Sequence, residues 1–354
     1  MKPLDFGFEP GDVAPMTHGM RVDKAFYSFD DQAGRAAALI FAADGPPAAA
    51  APVLQAFQQR AAALGSHEAD AVALFNMQAL NGAGGPDWAP GVTKVFCEGQ
   101  VLDRWRLRAR DWAVVVIDRG ARIVDAFDAA AGDADAVADA ALSRIAALPS
   151  EEPSEISLPA PVLIIPNILS RKFCCELIEH FEASNYVRGG MASRDARGVS
   201  FHKIDEAKKR RYDFVLGPKD PFVGRVLEGI IRRCIPEVKK AFNVDIRHTD
   251  RILVARYDDD GGYFRRHRDN AAPGVEFRQF ALSINLNDDY EGGQVMFPEY
   301  NSHRYKPKQG AGVVFSCSLL HEASSVVKGR RYVALTFLHD AAAQARWLAN
   351  GGPK

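Results

Sequence analysis

The chain contains no apolar run long enough to span a bilayer, and its start, Met1-Lys-Pro-Leu-Asp-Phe-Gly7, lacks the apolar core of a signal peptide. Cysteine is scarce and poorly spaced for structural work. The five residues Cys97, Cys174, Cys175, Cys234 and Cys317 are odd in number and form no CxxC pair. Cys174 and Cys175 are adjacent within a helical pattern, where a mutual disulfide would be strained. Reduced thiols and a cytoplasmic setting are therefore the simplest expectation. A charge excess is missing too. With 44 Lys and Arg against 45 Asp and Glu, the net charge of −1 points to neither nucleic acid nor membrane as the default partner. What is present is a globular composition, 47% hydrophobic and 25% charged, over 354 residues, a length that suits two domains.

The first half, 1–150, reads as strands alternating with helices around a central sheet. Apolar strands are expected at 37–42, 71–76, 113–118 and 122–127. Helices are expected around Leu54, Phe57, Ala61 and Leu64, and from about Asp133 to Leu148. Gly11-Asp-Val-Ala-Pro15 and Ala113-Val-Val-Val-Ile-Asp-Arg-Gly-Ala-Arg-Ile-Val124 resemble a peroxiredoxin or thioredoxin-like α/β domain. Such a domain keeps its peroxidatic cysteine just after the strand at 37–42, where a helix start lowers the thiol pKa. Here Asp44-Gly-Pro-Pro-Ala-Ala-Ala-Ala-Pro52 stands in its place, with no cysteine, serine or threonine. Peroxidase chemistry by that route is excluded. Cys97 reads as a small buried apolar residue. The expected role of this half is structural: homodimerisation, or holding a substrate.

A stretch rich in proline, serine and glutamate, 148–159, reads as a linker, with its core at 151–158. The second half, 159–354, opens with an apolar strand, Pro161–Pro166, and a helix capped by Ser170. A second helix is expected from about Phe222 to Cys234, with Pro236 in the first turn of a third. The glycine-containing basic segment 187–212, with Lys208, Lys209, Arg210 and Arg211, reads as a solvated loop or as a lid that favours an anionic substrate surface. Strands alternating in period two at 251–257, 279–287, 312–316 and 331–338 suggest antiparallel sheets folded as a jelly roll.

Chemistry concentrates between Arg251 and Asp340. His267 and Asp269 are two apart, which on an extended strand puts both on one face. His321 supplies a second imidazole. Two histidines and one carboxylate on one side of a metal leave the other side open, as in non-haem Fe(II) oxygenases. Arg331 follows ten residues after His321, in a strand-like run whose near residues offer it no carboxylate. Tyr257 stands ten residues before His267.

His267-x-Asp269, His321, Arg331, Tyr257 and Leu286-Asn-Asp-Asp-Tyr-Glu-Gly-Gly-Gln-Val-Met-Phe-Pro298 resemble the prolyl 4-hydroxylase-like branch of the 2-oxoglutarate and Fe(II)-dependent dioxygenases. That resemblance implies a double-stranded β-helix, or jelly-roll, C-terminal domain with flanking helices. It implies Fe(II) on His267, Asp269 and His321, and 2-oxoglutarate on Arg331 and Tyr257. It also brings O2 as oxidant and ascorbate as an optional addition. Substrate would be hydroxylated with release of succinate and CO2. Asp269 argues against halogenation, because related halogenases leave that position open for a halide. Arg330 is the rival of Arg331, but strand alternation puts the two on opposite faces. Asn270, Cys317 and Tyr263 are candidates to support the ligands or simply to fill space. Three functions stay open: hydroxylation of a peptidyl residue, with proline favoured by the resemblance; hydroxylation of a free amino acid or small metabolite; and a non-catalytic redox or oxygen-sensing protein. The basic cluster is too short, and too poor in aromatics, to favour nucleic acid.

Overall fold

The computed structural model describes residues 6–42, 47–82, 89–107, 112–128, 133–149, 155–194 and 200–350. The chain divides into two compact units, Met1–Pro153 and Ser154–Lys354. Residues 43–46 of the cysteine-free run, 150–154 of the joint and 195–199 of the basic segment lie outside the described residues.

In the first unit a seven-stranded mixed sheet runs in the order Phe26–Ser28, His18–Arg21, Val92–Cys97, Ala69–Asn76, Ala36–Ala42, Ala113–Ile117, Ile123–Asp128. Ala36–Ala42 is parallel to Ala69–Asn76 and antiparallel to Ala113–Ile117. Successive side chains of Ala36–Ala42 enter opposite cores, so the run is apolar throughout. Ala36, Ala38 and Ile40 meet Leu54, Phe57, Val137 and Ile145 of the helices Ala51–Gln59 and Ala134–Ala146. Ala37, Leu39 and Phe41 meet Phe29, Val101 and Trp105. Trp105 is fully buried, and its indole N–H donates to Thr17 Oγ1 at 2.8 Å. The strand Val92–Cys97 was not legible in the sequence because Lys94 interrupts its apolar pattern. Burial of Lys94 is made tolerable by donation to the Ala89 carbonyl at 3.0 Å. Cys97 is buried, and burial pushes its thiol up to about 12.

The second unit is built from antiparallel sheets. An eight-stranded sheet carries, in order, Val162–Ile165, Gly312–Ser316, Phe280–Asn285, Arg331–Asp340, Leu253–Tyr257, Tyr212–Val215 and Val187–Arg188, with Ile246–Thr249 also paired to Arg331–Asp340. A four-stranded sheet carries Lys209–Arg210, Tyr263–His267, His321–Ala323 and Val295–Met296. The sheets face each other: Leu253, Tyr257 and Val333 meet Ala323 and Val326, and Ala281 and Phe315 meet Val295 and Phe297. These β-rich layers fit a jelly roll.

The outer face of the large sheet is covered by helices. Phe173, Leu177 and Phe181 of Arg171–Glu182 share a core with Val226, Val238, Val254 and Leu282. Ser170 caps that helix, accepting from the Phe173 N–H at 3.2 Å. The second helix is regular only over Val223–Gly229. It widens into a π-type turn, Ile230–Cys234, before Ile235–Phe242 continues with Pro236 in its first turn.

Gly310 leads into the strand Gly312–Ser316 at φ +80°, and a Cβ there would collide with the Leu169 carbonyl. Its own carbonyl accepts from the Leu169 N–H at 3.1 Å, tying the capped helix to the sheet. Gly310→Ala should lower the stability of the second unit by about 2 kcal/mol or more, from strain and clash together. Urea unfolding followed by circular dichroism would read this; an unchanged midpoint would show that the close approach is dispensable.

Candidate metal and co-substrate site

Two neighbouring strands of the small sheet bring the histidines together. In the pairing of Tyr263–His267 with His321–Ala323, His267 lies directly opposite His321. Cross-strand partners hold their Cβ atoms about 5 Å apart, and the two ring centroids are 4.2 Å apart. Asp269 arrives differently from the extended-strand expectation. The strand ends at His267, and Asp269 sits in the turn that follows. It is held by its own N–H, which donates to the Cys317 carbonyl at 3.0 Å. The carboxylate oxygens then stand 3.4 Å from His267 Nε2 and 3.4 Å from His321 Nε2. Ligand atoms of all three lie within 4.8 Å of one another, the one such grouping among the described residues.

The tautomers follow from the hydrogen bonds. His267 Nδ1 is 2.7 Å from the Arg265 carbonyl and His321 Nδ1 is 3.0 Å from the Leu319 carbonyl. A carbonyl only accepts, so each Nδ1 carries the proton and each Nε2 presents a lone pair to the shared centre. Burial lowers the His321 pKa against the pull of Asp269, which favours the neutral ring. Burial alone would raise the Asp269 carboxyl, but the facing His321, together with His267 and Arg278, outweighs it and holds it below the usual carboxylate range. Two imidazoles that turn Nε2 to the centre and a carboxylate form a donor set that fits a divalent first-row metal.

These three side chains line a cavity of about 480 Å³ between the sheets, together with Tyr257 and Arg331. Arg331 is 3% exposed. One guanidinium nitrogen donates to Asn285 Oδ1 at 3.3 Å, Nε has no acceptor, and Arg331 makes no ion pair among the described residues. Its strand runs on to Asp340, beyond the expected end, but that carboxylate caps the helix Ala341–Ala349 by accepting from the Ala343 N–H at 2.7 Å. Arg330, the rival, is exposed and stands 3.6 Å from Asp258. Tyr257 lies directly across the strand pair from Arg331, with the guanidinium 5.2 Å from its ring centroid. Its hydroxyl is already engaged, accepting from Arg211 at 2.9 Å.

Several supports were not apparent from the sequence because they join distant segments. Arg268, between the two ligand positions, donates to Glu299 at 2.6 Å and to the Ser318 carbonyl. Glu299 also accepts from the Leu320 N–H at 3.1 Å, so the pair braces the approach to His321. Asn270 adds a hydrogen bond to Ser318 Oγ at 2.8 Å. Tyr263 turns away and donates to the Glu206 carbonyl at 2.6 Å. Cys317 contributes its backbone, not its thiol. Lys209, Asp213 and Arg211 form a buried cluster: Asp213 lies 3.0 Å from Lys209 Nζ and 2.6 Å from Arg211 Nε.

Burial, reinforced by Arg211, lowers the Lys209 ammonium to about 7 despite Asp213. The unfolded chain keeps its lysine protonated up to about pH 10. Between about pH 7 and pH 10 the unfolded state therefore binds the extra proton, and this residue makes stability rise with pH across that window. Denaturant titrations at several pH values should show that slope in the native chain and a flatter one in Lys209→Met. Equal slopes would show that Lys209 titrates normally.

Residues 252–339 match the 2OG-Fe(II) oxygenase superfamily. Similar proteins include a PKHD-type hydroxylase of Acaryochloris marina, 29% identical over 119 residues, which are 33% of this chain and 52% of the relative. Another is a PKHD-type hydroxylase of Picosynechococcus, 30% identical over 92 residues, 25% of this chain and 42% of the relative. The chain thus spans about half the length, or less, of these curated relatives. Among solved structures, a prolyl hydroxylase of Trichoplax adhaerens in complex with a hypoxia-inducible-factor peptide aligns at 19% identity and a TM-score of 0.41, over 52% of this chain and 86% of the other. The match to the 2OG-Fe(II) oxygenase superfamily falls within the second unit, over residues that include Tyr257, His267, Asp269, His321 and Arg331.

Proposed function

We propose that this protein is an Fe(II)- and 2-oxoglutarate-dependent hydroxylase of a peptidyl residue, with proline the first target to test. Arg331 is the observation that carries the reading. It is a buried guanidinium without a carboxylate in the cavity that also holds the His-Asp-His grouping. A buried cation left unpaired is costly, and a dicarboxylate co-substrate would relieve it.

In this reading His267 and His321, through Nε2, and Asp269, through a carboxylate oxygen, would hold the iron. Arg331 would take the far carboxylate of 2-oxoglutarate, with Tyr257 beside it. Bound there, iron supplies the oxidative chemistry by which O2 and 2-oxoglutarate become succinate and CO2 while a C–H bond of the substrate becomes C–OH. The chain's own residues orient the groups. The Arg265 and Leu319 carbonyls fix both imidazole tautomers, and Arg268 with Glu299 holds the His321 approach. Asp269 would offer iron a carboxylate where related halogenases leave room for a halide, which favours hydroxylation. Gly190, Met191, Lys208 and Lys209 line the cavity, so the basic segment reaches the site and can act as a lid over a peptide.

For the first unit we propose a redoxin-like scaffold that dimerises the chain or holds substrate. Support comes from the mixed sheet with cores on both faces, from the buried Cys97, and from a sequence with no cysteine after Ala42 until Cys97. Unchanged oligomeric state and substrate range after deleting residues 1–150 would remove this role.

Succinate release should require Fe(II) and vanish in His267→Ala. In Arg331→Gln the KM for 2-oxoglutarate should rise roughly 30-fold or more, the loss of a charge-assisted pair worth about 2 kcal/mol. Iron-independent turnover, or an unmoved KM, would sink the assignment. Hydroxylation of free amino acids but not of peptides would move it to a small-molecule substrate.

A further inference from the structure

The cavity wall is cationic. Eight of its lining side chains are lysine or arginine, and only Asp269 and Glu322 are acidic. Three carboxylates that offset these cations do not themselves line the cavity: Asp250 pairs with Arg278 at 2.5 Å, Glu299 with Arg268 at 2.6 Å, and Asp213 with both Lys209 and Arg211. Lys209, Arg211 and Arg331 are the buried cations of the lining, and low-dielectric walls strengthen their field.

The imbalance is sharpest at Asp213, where two buried cations share one carboxylate. Lys209 is 4% exposed at its side chain and directs two of its three N–H donors to the Gly190 carbonyl, at 2.8 Å, and to Asp213. Its lowered pKa, caused by burial and then by Arg211, is the electrostatic sign of that crowding. Arg251 lines the same cavity, and with Gly190 and Leu253 it also lines a second cavity of about 440 Å³. Arg251 thus stands where two cavities share a wall, the second also lined by Asp213, and there is room for more than a co-substrate. Arg331 is already committed to 2-oxoglutarate in the reading above.

We infer that Lys209, Arg211 and Arg251 form a subsite for an anionic group of the prime substrate, an acidic side chain or terminal carboxylate near the residue to be hydroxylated. This inference rests on the hydroxylase reading of the cavity and adds the substrate's charge to it.

Binding of labelled peptide pools to the full-length protein, followed by fluorescence anisotropy, tests it. Each pool has a central proline flanked by Asp and Glu, by Gly and Ser, or by Lys and Arg. The acidic pool should bind roughly tenfold tighter than the neutral one, and the basic pool weakest. The preference should shrink severalfold in Arg251→Gln and in Lys209→Met. Because Lys209 is buried and its variant could misfold, the wild-type comparison stands by itself: equal binding of acidic and neutral pools overturns the inference. So does a preference that survives both substitutions, or displacement of the acidic pool by a single-stranded oligonucleotide in preference to acidic peptide. Displacement by free aspartate would support the subsite and place the anion on a small molecule. Succinate release without added peptide does not depend on peptide charge, so the hydroxylase reading and the subsite can fail separately.

Discussion

The register between two short strands governs this site. Pairing His267 opposite His321 puts two imidazoles, from residues 54 apart in the chain, on one face of one small sheet. A slip of one residue would turn either ring to the other face, because side chains alternate along a strand. The inter-sheet contacts resist such a slip: Phe297 and Phe315 stand beside His321, with ring centroids 6.2 and 4.6 Å away. Phe264 stacks on His267 at 3.5 Å. Apolar packing thus fixes the orientation of polar groups, and rigid strands are the place where a metal constellation keeps its geometry.

Around that pair the charges are arranged by burial. Asp269 and His321 pull in opposite senses, and the result is an ionised carboxylate beside a neutral ring. Arg331 and the Lys209–Arg211 pair leave positive charge inside the cavity. Such charge destabilises a closed, empty fold and is recovered when an anion binds. The same feature that weakens the unit alone would therefore favour acidic ligands, consistent with a site that trades stability for recognition. In the first unit the electrostatics point the other way. Cys97 is buried with its thiol pushed up, so burial suppresses thiolate there.

The long strands were legible because their pattern is strong. Ala36–Ala42 and Phe280–Asn285 are uninterrupted apolar or alternating runs, and a run of that kind has few alternatives. Val92–Cys97 was hidden by one lysine, and the hairpin His18–Arg21 with Phe26–Ser28 by its shortness. The ligand candidates were readable because His-x-Asp, a distant histidine and a strand arginine are rare together. The braces were not, since Arg268–Glu299 and Arg211–Tyr257 join residues 31 and 46 positions apart. No local pattern encodes a hydrogen bond of that span.

The sequence by itself determined which side chains could coordinate and that no cysteine stands just after the strand at 37–42, because residue identity sets donor chemistry. Tertiary structure alone decided that Asp269 reaches the histidines from a turn, held by the Cys317 carbonyl, rather than from the strand. It also decided that the Tyr257 hydroxyl is shared with Arg211, and that the carboxylates pairing Arg211, Arg268 and Arg278 do not line the cavity. The physical reason is that pairing, burial and the direction of a charge are properties of segments brought together, and no segment carries them before it folds.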